Sequence, residues 1–147
     1  MSNVPSNTES STFQAILEAA AERDEDLTPA VYRNFYARCP GAQAAFSHSD
    51  DTARGKMLSE FLHCLEDQVE GAGYLDGYLD TIVSDHRSYD DMVFSMYWDF
   101  AQAVSEAIRS VVGDQWSEAM ERTWNSQVQQ LLSRIESSHR QLLASAR

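Results

Sequence analysis

A histidine closes a helical stripe that is otherwise apolar. Leu75, Leu79, Ile82 and Val83 fall on one side of a helix drawn over 74–87. At about 100° per residue, His86 projects within roughly 10–20° of the centre of that stripe. The chain breaks just after it, at Asp90 and Asp91. An imidazole held there is either a packed core histidine or a ligand for something bound in the core.

Other residues invite competing chemistry. Glu60 with His63 and Glu136 with His139 form two Glu-x-x-His pairs, and Glu18 and Glu106 supply carboxylates on two further helices. That order imitates a carboxylate-bridged di-iron bundle, which needs all six side chains pointing inward. Glu60 and His63 instead lie roughly 140–160° from the apolar face of their helix, and Glu106 roughly 160° from its own. Glu18 is also outward, and only His139 nears the boundary. Solvated charged faces account for these residues better than a metal centre. Cys39 and Cys64 have no His and acid arranged for nucleophilic catalysis, no Gly-x-Ser-x-Gly or phosphate-cradling loop is present, and His48 sits in a polar stretch.

The elements that must position His86 read as helix throughout. With 147 residues the chain suits one domain, which can bury about two thirds of its unfolded surface. Only 3 Pro and 6 Gly interrupt it, and 3.6-residue periodicity recurs without β-type alternation. A first helix near 11–23 turns Phe13, Ile16, Leu17 and Ala20 inward. Thr28 reads as an N-cap with Pro29 at the first helical position, and the helix it opens carries Val31, Tyr32, Phe35 and Cys39 to a stop at Pro40. A short helical turn ends at Phe46. Ser49 or Asp50 caps a long helix with Leu58, Phe61, Leu62, Leu65 and Val69 inside, ending at Gly71. After the His86 helix, one helix uses Phe94, Tyr97, Trp98, Ala101, Val104, Ile108 and Val112. The last uses Trp116, Met120, Trp124, Val128, Leu131 and Ile135. The expected fold class is therefore all-α, six or seven helices. Residues 1–10 read as a disordered tail without a secretory pattern, and 11–147 as one domain, which points to a cytoplasmic protein. The formal net charge of -12 disfavours nucleic acid and anionic membranes, and no apolar run approaches a membrane span.

The stretch Tyr32-Arg33-Asn34-Phe35-Tyr36-Ala37-Arg38-Cys39-Pro40-Gly41-Ala42-Gln43-Ala44-Ala45-Phe46 resembles the second and third helices of globins. The likeness is to bacterial single-domain haemoglobins and the globin part of flavohaemoglobins, in which a Pro is followed six residues on by a Phe that packs on the haem. Tyr32 then matches the distal tyrosine, His86 with Tyr89 the proximal-histidine segment, and Gly113-x-x-Trp116 followed by Trp124 the start of the last helix. The resemblance covers about residues 11–140. It departs from the family between His86 and Tyr97, which lacks the usual Gly and Pro and is one residue longer. It departs again at the distal position of the long helix, which is Arg54 or Met57 depending on where a gap falls, or Lys56 with no gap.

The resemblance implies a globin-like fold around a haem pocket and one haem b bound to iron-ligating His86. Phe46 would pack on the porphyrin, Tyr32 would donate a hydrogen bond to the ligand, Arg54 or Met57 would line the distal side, and Tyr97 would support the proximal side. The implied partner is a diatomic gas (oxygen, NO or CO), with an external reductase if the protein turns over, since no reductase domain is present. Two alternatives stay open: a haem-free globin fold used as a regulatory interaction module, and a peroxidase-like haem enzyme, which a polar Arg54 at the distal position would favour. Whether the protein is an enzyme, and its oligomeric state, are not settled by the sequence.

Overall fold

A computed structural model describes residues 7–23, 25–45, 51–86 and 94–145. Among these residues every regular element is helical: α1 (Asn7–Glu22), α2 (Thr28–Arg38), α3 (Pro40–Ala45), α4 (Asp51–Glu70), α5 (Leu75–His86), α6 (Phe94–Val112) and α7 (Glu118–Ser145), with a 3-10 turn at Gly113–Gln115. The all-α class is thus observed.

The helix ends follow from local chemistry. α1 begins at Asn7, inside the stretch expected as a tail. Thr8 offers its carbonyl to the Thr12 hydroxyl at 2.8 Å. Glu9, an acid in the first turn where the helix dipole favours it, accepts from Gln127 Nε2 at 3.3 Å and so ties the segment to α7. At α2 the expected cap is corrected: Thr28 lies inside the helix, and the Asp26 carboxylate accepts from the Thr28 backbone N–H at 2.9 Å. That bond holds the Asp26 carboxyl below its ordinary value. Pro29 stays in the first turn, where its missing N–H is harmless. α4 ends on Gly71 at φ 73°, with Gly71 N–H bonded to the Gln68 carbonyl and Ala72 N–H to that of Asp67, a Schellman close. Ser117 opens α7, its hydroxyl accepting from the Met120 N–H at 3.1 Å.

One core runs through all these helices. α2 packs on α6, and both α5 and α1 pack on α7. Phe13, Ile16, Val31, Phe35, Leu65, Leu79, Val104, Ile108, Trp124 and Leu131 fill the centre. Trp124, fully buried, stacks on Phe13 at 6.0 Å and meets Trp116 edge-on at 6.4 Å. Its indole N–H donates to the Ser105 hydroxyl at 2.8 Å, and Ser105 donates in turn to the Ala101 carbonyl at 2.7 Å. Trp98, expected on the inner face of α6, is instead 47% exposed. The inner line runs through Phe94, Tyr97, Ala101, Val104 and Ile108, and Trp98 stands about 100° past Tyr97 and so off that arc.

Candidate functional site

The site is organised by the first half of α6, which presents Phe94, Tyr97 and Phe100 in successive turns. Tyr97 meets the His86 imidazole edge-on at 5.8 Å and Phe94 at 6.2 Å. Phe94 continues to His139 of α7 at 6.5 Å. Phe100 takes three rings edge-on: Tyr32 at 5.8 Å, Phe35 at 5.4 Å and Phe61 at 5.8 Å. One helix therefore carries the His86 contact and the Tyr32 contact about one turn apart. α2 is pinned to this helix by Asn34 Nδ2 donating to the Ala103 carbonyl at 3.3 Å and by the Arg38–Glu106 ion pair.

His86 ends α5, half-buried, behind the buried residues Leu75, Leu79 and Val83. Its Nδ1 lies 2.7 Å from the Ile82 carbonyl one turn earlier. A carbonyl only accepts, so Nδ1 carries the proton, and in the neutral ring the lone pair sits on Nε2. A backbone carbonyl orienting one ring nitrogen and leaving basicity on the other is the arrangement that metal-ligating histidines use.

Tyr32 is almost wholly enclosed, and its hydroxyl donates to the Arg54 carbonyl of α4 at 3.0 Å. Burial pushes its phenol far above the ordinary value; Tyr36 adds to this and the Arg54 charge opposes it. Burial alone raises the Tyr97 phenol to about 12. Both rings are therefore neutral donors at physiological pH. Arg54 and Met57 are both half-buried, Met57 against the core, while Lys56 is exposed. Phe46, His48, Tyr89 and the expected caps Ser49 and Asp50 lie outside the described residues.

The residues of the competing chemistries are not gathered. Glu18, His63 and Glu106 are exposed, Glu106 is paired with Arg38, and Glu136 is paired with Arg140 at 2.5 Å. Among the described residues no group of three or more His, Cys, Asp or Glu side chains could hold a metal ion. Cys64 is buried, which with Asp67 and Glu60 lifts its thiol to about 11 and leaves it a poor nucleophile. A polar hollow of about 840 Å³ opens between α5 and α7, with Asp76, Asp80, Arg134 and Ser138 in its wall. It includes none of the residues singled out from the sequence.

Sequence reasoning missed Phe100, the ring on which three others converge. Its spacing of three from Tyr97 was the available signal, obscured by the neighbouring Ala101 that continues the core line. It also missed the partner of the Tyr32 hydroxyl, which is a backbone atom 22 residues away. Comparison of the chain with family models, with curated proteins and with solved structures found no match.

Proposed function

We propose that this chain is a globin-like protein that binds one haem b through His86 and reversibly takes a diatomic ligand such as oxygen, NO or CO. The observation that carries the reading is the His86 Nδ1 contact with the Ile82 carbonyl, which presents Nε2 as the basic nitrogen at the end of a buried helix face. The packing of α2 on α6, and of α5 and α1 on α7, supports it, since it closes the helices into the single all-helical core that the reading requires. The residues present fit the group: an imidazole oriented through Nδ1 by a backbone carbonyl, the Tyr97 ring edge-on to it and, one turn along α6, the rings around the enclosed Tyr32 hydroxyl. When bound, haem supplies an iron centre that can take and release a small gas.

The chain's own residues have separate tasks. His86 offers its Nε2 lone pair while the Ile82 carbonyl keeps its ring from turning. Tyr97 braces that ring edge-on. Tyr32 is the hydrogen-bond donor for the ligand, and Arg54 and Met57 border it from α4. The resemblance assigns Phe46 the packing role against the porphyrin.

A second reading, a haem-free globin fold acting as an interaction module, draws on one observation. The Tyr32 donor is already engaged by the Arg54 carbonyl, as suits a hydroxyl with no ligand to serve.

Titrating the apoprotein with haemin and recording the absorption spectrum tests the proposal. A Soret band saturating at one haem per chain is expected, and His86→Ala should abolish or strongly shift it. Unchanged ferrous and ferric spectra in His86→Ala would remove the ligand assignment. A wild-type protein that refuses haem would favour the interaction module.

A further inference from the structure

A cavity of about 310 Å³ lies between α1 and α7, and none of the residues assigned to haem lines it. α1 brings Thr8, Glu9 and Thr12 to its wall from the first turns of the helix. α7 brings Ala119, Arg122, Thr123 and Ser126, which the helical period sets on one face. Thr123 is only 8% exposed, yet its hydroxyl has no hydrogen-bond partner among the described residues. Leaving a buried hydroxyl unpaired is costly, and the group that can satisfy this one is an occupant of the cavity.

The other polar groups in the wall are disposed to donate. Ser126 Oγ accepts from Gln130 Nε2 at 3.1 Å, so its own proton is left to give. Arg109, Arg134 and Arg140 sit in ion pairs, whereas Arg122 is exposed and in none among the described residues. The first turn of α1 adds the positive end of its helix dipole. The opposing charge, Glu9, accepts from Gln127 Nε2 at 3.3 Å. Carbon in the wall comes from the threonine methyls and Ala119.

An uncommitted guanidinium beside hydroxyl donors and methyl groups matches a carboxylate on a short aliphatic body. The Arg122 fork can take both carboxylate oxygens. With Glu9 opposite Arg122 the wall carries no net charge, which favours a monoanion over a dianion such as phosphate. We infer that the cavity binds short-chain monocarboxylates, held by Arg122 and accepting from Thr123 and Ser126. The inference is independent of the haem reading.

The test is an amide NMR titration of the full chain with pentanoate, with uncharged pentanamide and with inorganic phosphate. Pentanoate should shift Thr8, Thr12, Thr123 and Ser126 along one saturating curve, and pentanamide should not. Arg122→Leu should weaken pentanoate about 10-fold or more, as loss of a charge-assisted hydrogen bond does, and Arg122→Lys should restore part of it. Thr123→Val, which keeps the shape of the side chain, should weaken it about 3- to 10-fold. Arg122 is exposed, so its replacement leaves the fold intact, and the spectrum reports that directly. Shifts that grow without saturating, or an affinity indifferent to either Arg122→Leu or Thr123→Val, overturn the inference. Pentanamide bound as tightly as pentanoate, or phosphate bound more tightly through the same residues, overturns it as well.

Discussion

The two halves of α6 are held in different ways. In the C-terminal half, polar groups close on one another: Trp124 donates to Ser105 and Ser105 to Ala101. Arg109 binds Glu121 at 2.9 Å and Asn125 at 2.7 Å, with its guanidinium 5.7 Å from the centre of the Trp116 ring. In the N-terminal half, rings meet rings, and Tyr32 Oη and His86 Nδ1 each reach a backbone carbonyl. The first half is fixed by mutually satisfied side chains, which makes it rigid. The second is held by ring-on-ring contacts and by hydrogen bonds from side chains to backbone carbonyls. Polar closure and aromatic packing are thus placed at opposite ends of one helix.

The comparison is broken most severely by removing Trp124. Trp124→Ala should cost about 3–5 kcal/mol of stability, through lost burial and a cavity against Phe13 and Trp116. Urea unfolding measures it. A cost no larger than that of Tyr32→Phe would mean the two halves do not differ as described.

Tyr32→Phe keeps the ring and removes the hydroxyl, and with it the bond to the Arg54 carbonyl. The expected stability loss is about 0.5–1.5 kcal/mol. In haem-loaded protein the same change should speed oxygen release about 10- to 100-fold. Carbon monoxide, with less negative charge on its outer atom, should respond far less, whereas a steric effect would move both gases together. Equal oxygen release rates in wild type and variant would remove the donor role and leave the hydroxyl as a structural staple.

The smallest effect concerns Glu121. Partial burial raises its carboxyl, but the bonds from Arg109, Trp116 and Asn125 outweigh this and hold it below its ordinary value of 4.5. A depressed carboxylate stabilises the fold above its unfolded pKa, and that contribution fades as pH falls through the folded pKa. Glu121 is largely open to solvent, so the effect stays within the small range of exposed ion pairs. Thermal melts from pH 6 to 3 should show Glu121→Gln slightly destabilised at the upper end and converging with wild type at the lower. A constant difference across that range would assign the effect to packing instead.

The helices were legible because each carries its own 3.6-residue pattern, and His86 was legible because its orientation and the Ile82 carbonyl both belong to one helix. Trp98 was misplaced because an aromatic beside Tyr97 satisfies the pattern loosely, and burial is decided by the arc that faces α7 and α2. Thr28 and Asp26 are both good cap residues; the helix starts one residue earlier than the proline suggested, with Leu27 at the N-cap position, and Asp26 takes the bond. The start of α1 depends on Gln127, more than a hundred residues away. Phe100 and the Tyr32–Arg54 bond depend on how α2, α4 and α6 converge, which no local window contains.

Trp98 stands in solvent, Trp116 is half-buried and Trp124 is sealed, so the three indoles form a graded optical probe of the fold. A dissolved collisional quencher reaches Trp98 first and Trp124 only after α6 and α7 separate. Emission from Trp124, bonded to a hydroxyl in a dry setting, belongs at the blue edge of the band, and that of Trp98 at the red edge. Unfolding from the rigid end of α6 would then register as a red shift, and loosening at the ring-lined end would leave the colour unchanged.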